Sequence, residues 1–225
     1  MALNSTNTSK PSPPTRVEDA VEILREEIVT GKLPPDSPLR LKALAERLGM
    51  SMMPVRGALL TLESLGLVVQ DPRRGARVNS FSLDDLYDTY EARLALEVLA
   101  VERAAAGFTP EDEENARRAL AAHTSTASDT VASREAHTAL HFAIYEAARS
   151  PWLVKLIMPL WVNSERYRIV SIPHRGGREA RRLEHERIID ACARRNPRVA
   201  ARELTTHLAT TANLVAHELG GGDLF

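Results

Sequence analysis

The stretch Leu39–Val78, LRLKALAERLGMSMMPVRGALLTLESLGLVVQDPRRGARV, decides the fold. Leu41, Leu44, Ala45 and Leu48 recur at helical spacing, which predicts a short helix over Arg40–Leu48 that stops at Gly49, a residue suited to a left-handed C-terminal turn. A second helix follows almost at once. Ser51 is its N-cap, Pro54 sits in the first turn where a missing N–H costs nothing, and Val55, Leu59, Leu62 and Leu65 form one apolar face before Gly66. Two helices joined by a tight turn make a helix-turn-helix, whose second helix meets base edges with its first residues, here Ser51, Met52, Met53 and Arg56. The run Leu67-Val68-Val69, the turn residues Asp71-Pro72-Arg73-Arg74-Gly75 and then Ala76-Arg77-Val78 predict a hairpin with a basic tip. Such a wing would carry Arg73, Arg74 and Arg77 to phosphates or into the minor groove.

Charge supports the same reading. The 225-residue chain has a net charge of −1, which argues against indiscriminate nucleic-acid binding. Between residues 40 and 77, however, Arg40, Lys42, Arg47, Arg56, Arg73, Arg74 and Arg77 face only Glu46, Glu63 and Asp71. Arg40 and Lys42, at the head of the first helix, therefore join the DNA-facing set. The single Cys192 excludes an intramolecular disulfide and a zinc finger, and no apolar run approaches the ~18 residues of a membrane span. Without a signal core at the N-terminus, the expectation is a cytoplasmic protein with no membrane contact.

Outward from the central stretch, residues 1–15 are too polar to fold and read as a disordered tail, and Val17–Thr30 reads as the first helix of a DNA-binding domain spanning 16–79. Beyond Asn79 the pattern turns entirely helical, with segments at Leu83–Ala106, Pro110–Ser125, Thr130–Arg149, Pro151–Ile172, Arg175–Arg195 and Pro197–Leu219. Gly/Pro punctuation between them predicts an antiparallel bundle over 80–219, with 220–225 as a flexible tail. Ser82, followed by Asp85, has the look of an acidic capping box. The fold class is thus mainly α, a winged helix-turn-helix followed by an all-α bundle.

SMMPVRGALLTLESLGLVV followed by RRGARV resembles the N-terminal domain of the GntR family of bacterial transcription regulators. Residues 31–36 are similar to that family's Gly-x-Leu-x-Pro-Gly turn, with Asp36 in place of the last Gly. Two further positions depart from the pattern: Met52 stands where a basic residue is usual and Gly57 where an acidic one is. An Arg paired bidentately with guanine is worth roughly 1–3 kcal/mol of discrimination, so its loss predicts a different base readout.

Four of the seven histidines have a geometry worth arguing. His137 and His141 lie four apart and share a helix face. His185 and His207 stand 11 residues before and after Asn196, the turn of a helix hairpin, and so lie at one height. Solvated helix histidines would account for the same residues one at a time; two facing pairs in one bundle are also the layout of a metal site. The C-terminal region resembles the FCD ligand-sensing domain of the FadR-type branch, whose metal site is an Asp-x-x-x-His and two later histidines. That resemblance assigns His137, His141, His185 and His207 as ligands, with His137 where Asp is more usual. A nitrogen-rich set favours Zn, or Ni and Co, over Mg, Ca or Mn. His123, His174 and His217 match nothing in the pattern and are expected in solvent.

Arg93 and Glu97 look like the Arg-x-x-x-Glu of the same domain's first helix. By themselves they would make an ordinary i,i+4 surface pair, worth a few tenths of a kcal/mol; their apolar neighbours argue instead for burial, where a guanidinium needs a partner such as the carboxylate of a small organic acid. Asn163, Arg166 and Tyr167 join Arg93 as candidates for the effector pocket, while Trp152 and Trp161 are assigned to core or dimer packing. The resulting expectation is a transcription regulator, repressor-like, binding a palindromic operator on double-stranded DNA as a homodimer and tuned by a carboxylate-bearing metabolite. A metal-dependent enzyme with a regulatory DNA-binding domain is the alternative, though no nucleophile or acid/base carboxylate accompanies the histidines at a recognisable spacing. A third reading keeps the metal as a purely structural element.

Overall fold

The computed structural model describes residues 15–127, 130–171 and 177–225. In chain order the described elements are α1 (Arg16–Val29), α2 (Leu41–Leu48), α3 (Met52–Ser64), β1 (Val68–Asp71), β2 (Gly75–Val78), α4 (Leu83–Gly107), α5 (Pro110–Ser125), α6 (Val131–Glu146), α7 (Pro151–Ser171), α8 (Gly177–Ala193) and α9 (Pro197–Glu218).

Local chemistry explains the first half. Thr15, placed by its sequence in a disordered tail, is instead the N-cap of α1: its hydroxyl accepts from the Glu18 amide while the Glu18 carboxylate takes the Thr15 N–H. The rest of that tail, residues 1–14, lies outside the described residues. Gly49 ends α2 with φ +61°, and Ser51 caps the position before α3 without a side-chain capping bond. The strands pair antiparallel with Val68 opposite Val78 and Asp71 opposite Gly75. Their turn is closed by the Asp71 carboxylate, which accepts from the Arg73 and Arg74 amides at 2.7 and 3.1 Å. A bridge from Pro38 to Arg77 adds a third, one-residue rung to the wing. Asp36 has φ +62°, a conformation that suits the glycine of the family turn; a short polar side chain tolerates it, and here its carboxylate accepts from Ser80 Oγ at 2.7 Å. The first core gathers Leu24, Ile28, Leu39, Val55, Leu59, Leu62 and Leu67.

The second core lies among α4–α9, with Leu86, Tyr90, Val101, Tyr145, Ile157, Ile188, Leu204 and Val215 fully or almost fully buried. Helices α4 and α9 pack along each other, α5 against α6 and α8, and α8 against α9. Ser82 caps α4 by accepting from the Asp85 amide, but the Asp85 carboxylate goes elsewhere, so the predicted box is half made. The predicted start of α8 at Arg175 and end of α7 at Ile172 fall outside the described residues.

Residues 220–225 are docked rather than flexible. Asn213 Oδ1 accepts from the Leu224 and Phe225 amides, its Nδ2 donates to the Phe225 carbonyl at 2.9 Å, and the Phe225 ring stacks on Tyr87 with centroids 5.3 Å apart.

Helix α7 joins the two cores. Val162 belongs to the first core although the rest of its helix lies in the bundle. Arg25 of α1 donates to Glu165 at 2.7 Å, and Arg134 of α6 pairs with Glu26. From the opposite edge of α7, Arg166 donates to the carbonyls of Asn79 and Ser80 at 3.0 and 2.8 Å and to Asp85 at 2.6 Å. Every residue from 161 to 167 is buried.

Candidate functional site: a basic face and a cluster of buried imidazoles

The head of α3 stands in water. Ser51, Met52, Met53 and Arg56 are all exposed, and Met53 keeps 76% of its surface accessible despite being apolar. Arg40, Lys42, Arg73 and Arg74 are exposed around them. A groove of about 570 Å³ runs between α3 and the wing, lined by Arg40, Arg56, Arg74 and Arg77. Arg77 differs from its expected role: its guanidinium donates to the Asp36 carbonyl, so it ties the wing to the loop before α2. Gly57 lies under α1, where a Cβ would sit 3.3 Å from Val17 Cγ1, which is a packing reason for lacking the acidic side chain of the family pattern.

In the bundle, α6 brings His137 and His141 to the hairpin of α8 and α9, which carries His185 and His207. All four are buried, and one ligand nitrogen from each lies within 4.8 Å of every other. Bonds at the far side of three rings fix their tautomers. His185 Nδ1 lies 2.7 Å from the Arg181 carbonyl, and His207 Nδ1 lies 2.8 Å from a Glu184 carboxylate oxygen; both acceptors demand a proton on Nδ1. His141 Nδ1 lies 3.0 Å from the Tyr145 hydroxyl, whose own proton goes to Glu97 at 2.5 Å. Each of these rings therefore turns an Nε2 lone pair inward. His141 Nε2 and His185 Nε2 face each other at 3.1 Å, two lone pairs with no proton between them in the neutral tautomers.

Such an arrangement fits a divalent transition ion. Imidazole nitrogens bind at about 2.1 Å, so two on one ion lie at most about 4.2 Å apart, and closing from 4.8 Å requires about half an ångström of movement. Nδ1–H bonds to carboxylate, carbonyl and hydroxyl are the outer-shell pattern that orients metal-binding histidines. Burial, then the nearby Arg168, holds His137 far below the usual imidazole range; burial and His185 do the same for His141. Both are thus neutral and able to donate lone pairs at neutral pH.

Arg93 and Glu97 lie beside this cluster, and both are buried. Glu97 itself takes the guanidinium, at 2.6 Å from Nε and 3.3 Å from Nη2, so the i,i+4 pair forms, buried rather than on the surface, and Arg93 has an internal partner in place of an effector carboxylate. Burial opposes the charge on Arg93, but Glu97, Tyr90 and Tyr145 together outweigh it and the guanidinium stays protonated. Trp161 is buried in the bundle core, as expected, and also meets the histidines: it stacks on His137 with centroids 5.2 Å apart, lies 4.7 Å from His141, and donates to Thr138 Oγ1. Trp152 is exposed.

Asn163, Arg166 and Tyr167 do not join the imidazoles, which corrects their assignment to the same pocket. They clamp the segment between the cores: Asn163 donates to Thr89 at 2.9 Å and accepts from Arg166, while Tyr167 donates to Asp85 at 2.7 Å and receives the Ser82 amide. The helical wheel explains the split, since residues 161 and 168 share the face toward the histidines while 162, 163, 165 and 166 point away. His123 is a further correction. Expected in solvent, it is half-buried with its ring 5.1 Å from His137 and 5.8 Å from His185. His217 is exposed and paired with Asp223 at 2.9 Å, and His174 lies outside the described residues. Sequence reasoning also missed Tyr145 and Glu184, although Tyr145 is one helical turn from His141 and Glu184 is the neighbour of His185.

A basic helix-turn-helix face joined to an all-helical domain defines a DNA-binding transcription regulator. Residues 16–78 match the model of the bacterial regulatory proteins, gntR family, and residues 88–210 match that of the FCD domain. This chain belongs to the GntR family, in the branch that carries an FCD domain. It is 31% identical to the probable D-xylose utilization operon transcriptional repressor of Paenarthrobacter nicotinovorans, over 96% of each chain. With the HTH-type transcriptional repressor GlaR of Escherichia coli (strain K12) it shares 26% identity over 90% of this chain and 97% of the relative. Two solved structures share the fold: E. coli McbR/YncC, with TM-score 0.74, 22% identity and coverage of 92% of this chain and 100% of that one, and a GntR transcriptional regulator from Rhodococcus sp. RHA1, with TM-score 0.73, 24% identity and coverage of 92% and 99%. Among the described residues no helix is long and apolar enough to cross a membrane.

Proposed function

We propose that this protein is a cytoplasmic, metal-dependent repressor that binds a palindromic operator as a homodimer and responds to a small organic acid. The observation that carries the reading is the convergence of four buried imidazoles, three with Nδ1 held from behind and Nε2 turned inward. Repression is the mode given in the names of the Paenarthrobacter and E. coli relatives. One α3 covers one half-site, so a two-fold dimer matches a two-fold operator. Arg40, Lys42, Arg73 and Arg74 suit phosphates, Arg56 suits a guanine edge, and the exposed Met52 and Met53 suit thymine methyl groups.

A bound divalent ion, Zn or in its place Ni or Co, supplies positive charge and open positions for a carboxylate. Around it the chain holds the imidazoles neutral and oriented through Tyr145, Glu97, Glu184 and the Arg181 carbonyl. Arg93 lies at the edge of the same cluster and orients Glu97, and through it Tyr145. Helix α7 suits the relay to DNA, because Trp161 rests on the histidine rings and Val162, the next residue, sits in the core of the reader. Ligand occupancy that shifts Trp161 then shifts α1 and α3, and operator affinity follows by linkage.

The test starts from an operator selected out of a random duplex pool by the purified protein. Stripping the ion with a chelator is expected to change affinity for that duplex at least fivefold, and restoring Zn to reverse the change. Unaltered affinity with only a lower Tm would reduce the ion to a structural element.

A further inference from the structure

Among the described residues, two nitrogens at the imidazole cluster are without a hydrogen-bond partner: Nδ1 of His123 and Nδ1 of His137, both shielded from solvent. A buried polar atom left unpaired costs about 1–3 kcal/mol, so a native structure that keeps two on adjacent rings calls for something that satisfies them. His123 lies in the last turn of α5, and its ring centroid is 5.1 Å from His137 and 5.8 Å from His185. Five of the six pairs within the four-histidine set lie between 4.6 and 5.5 Å, so His123, which stands outside the set whose ligand atoms are within 4.8 Å of one another, is about one small ring movement from joining it.

We propose that His123 is a fifth imidazole ligand of the metal centre, so that this chain holds its ion with five nitrogens from α5, α6, α8 and α9. This rests on the metal reading above and deepens it. Five protein ligands change the chemistry of the site in two ways. They favour ions that accept five or six ligands, Ni and Co, over the four-coordinate preference of Zn. They also leave one open position, so an acid effector would bind through a single carboxylate oxygen. With only neutral donors the ion keeps its full double positive charge, which strengthens its attraction for that anion.

The test uses the full chain loaded with Co(II), whose visible bands are intense in four-coordinate and weak in five- or six-coordinate sites. The wild-type protein is expected to show weak bands. His123→Ala and the more conservative His123→Gln are each expected to retain Co(II) through the remaining four histidines, to bind it about 10–100-fold more weakly, and to show intensified bands. Two variants guard against one that fails to fold, which circular dichroism would reveal. Wild-type protein that takes up no Co(II) would overturn the metal reading and this one together. Co(II) bound with the same spectrum and affinity in wild type and both variants would overturn the fifth ligand alone, leaving water between the two unpaired nitrogens.

Discussion

Single residues carry more than one duty in this molecule, and Glu27 shows how. It lies in α1, almost wholly buried, and takes both terminal nitrogens of Arg47 from α2 at 2.6 and 2.7 Å, with Lys32 at 2.7 Å. Hydrogen bonds from Arg47 outweigh burial and hold its carboxyl down at about 2. A carboxylate depressed in the folded state stabilises it fully above the unfolded value near 4.5, and that stabilisation is lost as the pH falls from there towards about 2. Glu27→Gln should therefore cost about 2 kcal/mol at pH 7, allowing for the half-exposed Arg47, and the wild-type and variant Tm values should converge between pH 4.5 and 2. Parallel Tm curves across that window would remove the pair from the account. At the DNA face, Arg56→Ala should weaken operator binding by about 1–3 kcal/mol with the fold unchanged, as read by fluorescence anisotropy. Unchanged affinity would take Arg56 out of the interface.

Elements differ in how far their sequence reveals them. α2, α3 and the wing were legible because each has its own punctuation: Gly49 and Gly66 in left-handed turns, a Ser51 cap, and an Asp71-Pro72-Arg73-Arg74-Gly75 turn. The facing of His185 and His207, with ring centroids 4.6 Å apart, followed from counting residues on either side of Asn196. α7 resisted such reading because Asn163, Ser164, Glu165 and Arg166 are polar yet buried, so polarity does not mark its solvent face. Hence Asn163, Arg166 and Tyr167 looked like pocket lining, whereas they hold the link between the cores. The docked tail was equally hidden, since Asn213 and Tyr87 meet it only through tertiary packing. Arg166 is the element-scale test. Arg166→Met leaves Asp85 without its ion pair, but Asp85 keeps 33% of its side chain exposed, so a cost of about 2–3 kcal/mol is expected, below that of a fully buried pair. Calorimetry should then resolve separate unfolding of the reader and the bundle; a single transition at the wild-type Tm would show that α7 is not the joint.

At the scale of the whole molecule, a DNA-reading face and a cluster of buried imidazoles share one helix. The reader stands on α7 through Val162 and Arg25–Glu165, and the histidines rest against Trp161 of the same helix. An ion bound only by the folded state would add stability with its own concentration, about 4 kcal/mol at a thousandfold excess over Kd, so under the proposed function its occupancy would bear on folding as well as on operator affinity. Native mass spectrometry tests the centre of this account most directly. The wild-type protein should fly as a dimer with one divalent transition ion per chain, and the His185→Ala/His207→Ala double variant should remain a dimer and lose both ions. A metal-free wild-type dimer, or full occupancy in the double variant, would contradict it.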